Sequence, residues 1–300
     1  MRLLLSLKRH PLQLLLGASI ILLLVAGYVW WAKISTNPER VFWGMIDQSL
    51  STSGVTIKAA QQGNGSSLEQ VVQYSTGVIP MSHSFTTITQ GNTIVKNETI
   101  GTPDTDYTRY VDVKTDQKRA DGKSLDLAPI LGVWAKAATK DGNQVFSQAV
   151  LGTGLPFGGV AVPIANIPTE LRSRLVQELH NDNVYQVKFG EVKKQRTDGR
   201  LQYVYDVTIQ PVAYAALMKN FSSSVGLHVF DQLDPNQYQG QNPTHMLMTV
   251  DVRSGHLVTA ELAGTKYKQE YTGYDVPVMA SAPKDTITAA ELQKRLSKLQ

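Results

Sequence analysis

The 300-residue chain contains no cysteine. That excludes disulfides, thiolate zinc sites, a cysteine nucleophile and a lipid-modified N-terminal cysteine. Charge is also sparse, at 18% Asp, Glu, Lys and Arg, and no acidic residue precedes Glu39. Four of the 29 Lys and Arg (Arg2, Lys8, Arg9 and Lys33) come before it, which leaves 25 against 25 Asp and Glu in the rest. The net charge of +4 therefore belongs to an N-terminal flank. A neutral remainder cannot hold nucleic acid by neutralising phosphates, so no nucleic-acid partner is expected.

Signatures of chemistry are missing too. There is no Gly-x-Ser-x-Gly, no Gly-Lys-Ser/Thr phosphate loop and no His-Glu-x-x-His. The six His are scattered without the three-to-five-residue spacing of a helical metal site. Asp104 with Asp106 and Asp231 with Asp234 lie in Pro-bearing turn sequences, where Asp caps backbone amides. The sequence thus predicts no catalytic residues, no metal, no cofactor and no enzymatic activity.

What is present begins with an apolar run. Leu12 to Ala32 carries no charge, and a helix of that length would be roughly 31 Å long, matching a hydrocarbon core of about 30 Å. Tyr28, Trp30 and Trp31 stand at its C-terminal end, where amphipathic rings favour the headgroup zone. Arg2, Lys8 and Arg9 precede it, which keeps the N-terminus cytoplasmic. Residues 1–33 therefore read as a flank and single-pass transmembrane anchor, and 34–300 as an extracytoplasmic domain at the cell membrane. The competing reading is a cleaved signal peptide, with Val25-Ala26-Gly27 as its small-residue site. The bulky Trp30 and Trp31 argue against it.

After Pro38, Val41, Phe42, Met45, Ile46 and Leu50 recur at helical spacing. From Val55 to Val113 the pattern is β, punctuated at Gly63-Asn64-Gly65, Gln90-Gly91-Asn92 and Gly101 to Asp104. Further on, Tyr185, Val187 and Phe189 alternate with polar residues. So do Tyr203, Tyr205, Val207 and Ile209 after the Asp198-Gly199 turn, which predicts a hairpin. A helix is predicted after Pro211, with Leu217, Phe221 and Val225 on one side. Met246 to Val252 begins a second hairpin, with Val258, Ala260 and Leu262 inward on the return strand. Lys266 to Tyr274 reads as a last strand and Thr288 to Leu299 as a polar terminal helix. Meanders with inserted helices give an α+β domain with a curved antiparallel sheet, divisible near residue 165 but read as continuous.

The segment from Gly142 to Thr169 contains no charged residue. Its four Gly between 151 and 164, together with Pro156, Pro163 and Pro168, exclude a lipid-spanning helix. Leu155, Phe157, Val160, Val162 and Ile164 could form an apolar lid over a cavity or pack into the core. Tyr203 and Tyr205 could line the same cavity or belong to the core.

Three stretches occur in succession: Tyr203 to Ile209 followed by an apolar helix, Val250-Asp251-Val252-Arg253-Ser254-Gly255-His256-Leu257, and Tyr271 to Val278 leading to Pro283. Together with Arg109 to Asp112 and Gly132-Val133-Trp134, this succession resembles bacterial exported lipoproteins of the lipoprotein-carrier (LolA-like) and LppX/LprG-like type. The resemblance implies a half-barrel wrapping a few helices, with an acyl chain or lipid on its concave side. The anchoring cysteine of lipidated members is absent, which puts shuttling between membranes in doubt. The expected function is a membrane-tethered protein that binds a lipid, acyl chain or apolar peptide, with Leu155, Phe157, Val160, Val162, Ile164, Tyr203 and Tyr205 as ligand contacts. Two other readings stay open: an envelope structural or assembly protein docking a protein partner through its surface, and a cell-wall enzyme whose site the sequence does not display.

Overall fold

The structure, a computed structural model, describes residues 11–30, 36–63, 65–76, 80–102, 105–138, 161–225, 230 and 233–299. Helix α1 spans Pro11–Val29, with side chains described from Ser19 onwards. Among the described residues, no helix is long and apolar enough to cross a membrane. Helix α2 (Pro38–Ser49) opens on Pro38, with the Asn37 side chain accepting from Arg40 N at 3.2 Å.

Six strands follow in meander: β1 (Gly54–Gly63), β2 (Ser66–Ser75), β3 (Met81–Gln90), β4 (Thr93–Gly101), β5 (Thr105–Lys114) and β6 (Ala135–Ala138). Helix α3 (Thr169–Asn181) leads to β7 (Tyr185–Val187), β8 (Lys193–Thr197) and β9 (Arg200–Ile209). Helix α4 (Pro211–Ser224) precedes β10 (Thr244–Asp251), β11 (Leu257–Leu262) and β12 (Tyr267–Thr272). Strand β13 (Ile287–Thr288) runs into helix α5 (Ala289–Ser297). All of them join one open sheet in the order β13-β6-β5-β4-β3-β2-β1-β12-β11-β10-β9-β7, with β8 added on β9. Only β13 on β6 is parallel among the described pairs. The result is an α+β fold with a curved, unclosed antiparallel sheet.

The two meanders meet where β1 pairs with β12, Thr56 to Gln61 against Thr272 to Tyr267. Asp275, in the left-handed region at φ 59°, clamps this seam. Its carboxylate accepts from Ser53 N at 2.8 Å and Ser53 Oγ at 3.0 Å, while its amide donates to Gly54 O at 2.8 Å.

Four expectations need correction. Phe189 is not in a strand: it lies in a short 3-10 turn, Phe189–Glu191. The hairpin partner across Asp198-Gly199 is β8, whose Lys193-Lys194-Gln195-Arg196-Thr197 is exposed throughout, and β7 instead pairs with the far end of β9. On β11 the buried residues are Leu257 and Ala260 rather than Val258 and Ala260, because a register shift between Thr249 and Val250 rephases the pair. Asp106 is also not in a turn: it is buried on β5. Asp234 does cap a turn, accepting from Asn236 N at 3.0 Å, whereas Asp104 and Asp231 lie outside the described residues.

The motif at Asp251 is a turn device. Its Oδ1 accepts from Arg253 N, Ser254 N and Ser254 Oγ at 2.8–3.1 Å, and Gly255 adopts φ 71°. His256 then stacks on Tyr274 with ring centroids 3.9 Å apart.

On the outer face of the first meander, Glu98 is buried between His83 and Arg109. Its Oε1 meets His83 Nε2 at 2.8 Å, and its Oε2 accepts from Arg109 Nε at 2.7 Å. The Arg109 guanidinium lies over the Trp134 ring, 4.7 Å from its centroid. Burial alone would raise the Glu98 carboxyl, but its bonds to His83 and Arg109 outweigh burial and hold it below the usual carboxylate value. A depressed folded-state value stabilises the protein above the unfolded glutamate pKa of about 4.3 and loses that contribution as pH falls through the folded value. Thermal melts from pH 7 down to 3 should therefore show an acid-side loss of stability that is shallower in Glu98→Gln. Parallel curves for the two proteins would contradict this.

Candidate functional site

Cross-strand partners share a face of the sheet, so the paired registers define rows across its concave side. These rows divide the concave side into three zones. Over β9 to β12 and β1 the inward residues are mostly apolar and covered, with Gln269 buried between the Tyr267 and Tyr271 hydroxyls. Tyr203, Tyr205, Val207, Met246, Met248 and Val250 are buried against Phe42, Met45 and Phe221 from α2 and α4. Further along, on β3 to β5, the row Ser84, Thr99 and Thr108 and the row Thr86 and Asn97 form a polar band, with Thr99 and Thr108 hydroxyls 3.2 Å apart. At the open end, Leu68, Ile88, Val95 and Val113 run in register across β2 to β5 as an apolar stripe, with Ile88 still 40% exposed.

The proposed ligand contacts fall mainly in the first zone. Val162 and Ile164 are fully buried in a segment that threads the core. Ala165 N donates to Ser49 O at 3.0 Å, Tyr185 Oη donates to Ala161 O at 2.9 Å, and Tyr74 Oη donates to Ile164 O at 3.3 Å. Tyr205 packs on Phe42 with ring centroids 5.3 Å apart. Its hydroxyl donates to Pro38 O at 2.9 Å, and that of Tyr203 donates to Thr36 O at 2.7 Å. These two tyrosines therefore hold the chain at its start into the domain. Burial pushes the Tyr205 hydroxyl well above its usual pKa, with Tyr203 adding to the shift, so it stays a neutral donor. Leu155, Phe157 and Val160 lie outside the described residues.

A concave site lies at the third zone instead. After β5, Asp126 Oδ1 accepts from Ala128 N at 3.2 Å and Gly132 takes φ 71°. Gly132 N donates to Tyr110 O at 2.8 Å, so residues 125–132 fold back beside β5 and bury Ile130. Thr288 caps α5 by accepting from Glu291 N at 3.1 Å, and β13 seats that helix against β6. Arg295 Nη1 ties α5 to the loop through Pro129 O at 3.1 Å. Between stripe, loop and helix lies a groove of about 410 Å³, lined among others by Val95, Tyr110, Val113, Ile130, Leu296 and Leu299. That size falls within the range of small-ligand sites.

Sequence reasoning missed this groove. Its lining comes from residues about 200 positions apart, gathered by the β13–β6 pairing and the Arg295 bond to Pro129 O. One signal was available: Leu292, Leu296 and Leu299 recur at i, i+4 and i+7 on a helix that reads as polar. Among the described residues no group of His, Asp and Glu could hold a metal ion.

Fold and site together define the class: an α+β protein with an open antiparallel sheet, a filled core on one side and an apolar groove at its far end. No protein-family model matches the chain, nor does any curated protein. Among solved structures, the lipoprotein LppX of Mycobacterium tuberculosis is similar over 80% of this chain and 96% of its own, at 12% identity and a TM-score of 0.36. A likeness of that depth assigns neither ligand nor activity.

Proposed function

We propose that this chain is a membrane-tethered extracytoplasmic binding protein that holds an apolar ligand, a lipid, acyl chain or apolar peptide, in the groove between β4–β5 and α5. The observation that carries the reading is the groove itself. It is a mainly apolar concavity, with Thr93, Thr115, Gln117, Gln293 and Ser297 as its polar lining, and it continues into a stripe that is half-buried except at Ile88, whereas the rest of the concave side is packed or polar. The tether is supported by the exposure of α1. Leu22, Leu23 and Leu24 each stand about 70% bare on α1, within the uncharged run Leu12 to Ala32 that the sequence reads as the anchor. The basic N-terminal flank orients it with the domain outside.

A second reading has one observation in its favour. Val71 and Phe85, paired across β2 and β3, and Val111 on β5 are exposed on the convex face, where an envelope protein could dock. Both readings meet in one experiment. Val113→Trp fills the groove from a strand position that suits an aromatic residue. Full-length protein in nanodiscs should take up a photoreactive fatty acyl probe into a protein site, read by cross-linking to peptides of β4 and β5, and the variant should lose at least about tenfold in affinity. Equal uptake by both proteins would overturn the groove as the site. Absence of uptake by the wild type would favour the convex-face reading.

A further inference from the structure

Beside the groove lies a second concavity of about 350 Å³, and Leu299 borders both. Four of its six lining residues are charged: Arg119, Arg295 and Lys298, with Asp126 as the one acidic residue, beside Pro129 and Leu299. The commitments of these groups differ. Arg295 is held by Glu291 at 2.7 Å and by Pro129 O. Arg119 has only a loose pair with Asp121 at 3.9 Å. Asp126 is occupied in capping the Ala128 amide. No ion pair engages Lys298 among the described residues.

We infer that the ligand of the groove is an amphiphile with a single acyl chain and an anionic head, its tail along Val113 and Leu296 and its head at Lys298 and Arg119. This rests on the binding reading above and adds the chemical class of the ligand. An apolar trough alone would take any hydrocarbon. A trough that ends in a pocket with more cationic than anionic lining selects a chain whose terminus is negative, because there the head keeps solvent and gains a counter-charge without desolvating a buried ion. Each methylene laid in the trough should raise affinity about fourfold until it is filled. The head should add a smaller factor that salt removes.

The test uses full-length protein in nanodiscs of neutral lipid, photolabelled with a diazirine-bearing palmitate or with the uncharged monoacylglycerol of the same chain. Labelled peptides are identified by mass spectrometry. The expected result is labelling of peptides containing Val113 and Leu296. The carboxylate probe should be favoured about fivefold, the ratio from one exposed ion pair worth about 1 kcal/mol. Lys298→Glu combined with Arg119→Glu, both at exposed positions, should abolish that preference. Raised ionic strength should shrink the preference in the wild type. Equal labelling by both probes in the wild type would overturn the anionic head while the apolar site stands. Absence of label from both peptides with either probe would overturn the site as well.

Discussion

Phe42→Ala is expected to lower the stability of the folded domain by about 3–5 kcal/mol, the range for deleting a large buried aromatic ring. Phe42 is fully buried on α2. Its ring meets Trp43, Tyr185, Phe189 and Tyr205 with centroids 5.3–6.0 Å apart, mostly edge to face. It therefore joins α2 to β7, to the turn that follows it and to β9. The cavity left by truncation cannot close readily, because Tyr185 and Tyr205 are fixed by their hydroxyls to Ala161 O and Pro38 O. Urea unfolding of the full-length protein, followed by tryptophan fluorescence, reads the loss as a shift of midpoint at unchanged slope. A loss below about 1 kcal/mol would mean that α2 is not packed into the sheet as described.

The second large effect is expected at the seam between the meanders. A Cβ on Gly54 would stand 2.7 Å from Tyr74 O and 3.1 Å from Val276 O. Both are backbone atoms, one on the adjoining strand and one on the segment that Asp275 clamps, so neither can swing aside as a flexible side chain would. Gly54→Ala should cost about 1–3 kcal/mol through forced backbone shifts. Gly190→Ala, where a Cβ would meet nothing within 4 Å, serves as the control and should stay within about 0.5 kcal/mol. If Gly54→Ala behaves like the control, the β1–β12 junction does not hold the two meanders in one sheet.

Much of this architecture follows from periodicity. Tyr203, Tyr205, Val207 and Ile209 alternate because one face of β9 is buried, and all four are inward. Val41, Phe42, Met45 and Ile46 keep helical spacing because α2 presents one face to that same core. Strand β8 escaped because an edge strand exposed on both faces needs no apolar residue, and Lys193 to Thr197 has none. The phase of β11 escaped because one extra residue on β11, Val258, between the partners of Thr249 and Val250, leaves no mark in composition. The candidate site was the least legible part. Alternation places Tyr203 and Tyr205 inward but does not distinguish a wall of packed core from the wall of a cavity. That distinction depends on whether a helix lies opposite, and α2 does. The groove is legible only once α5 is known to return to β6, a pairing of two residues per strand that the sequence does not signal.

The direct test of the central claim is native mass spectrometry of the full-length protein purified from membranes in mild detergent. The account predicts protein carrying an acyl-chain amphiphile that collisional activation releases, and predicts its loss in Val113→Trp with the fold intact by circular dichroism. Wild-type protein of bare polypeptide mass under conditions that retain annular lipid, or a variant that keeps the adduct, would contradict it.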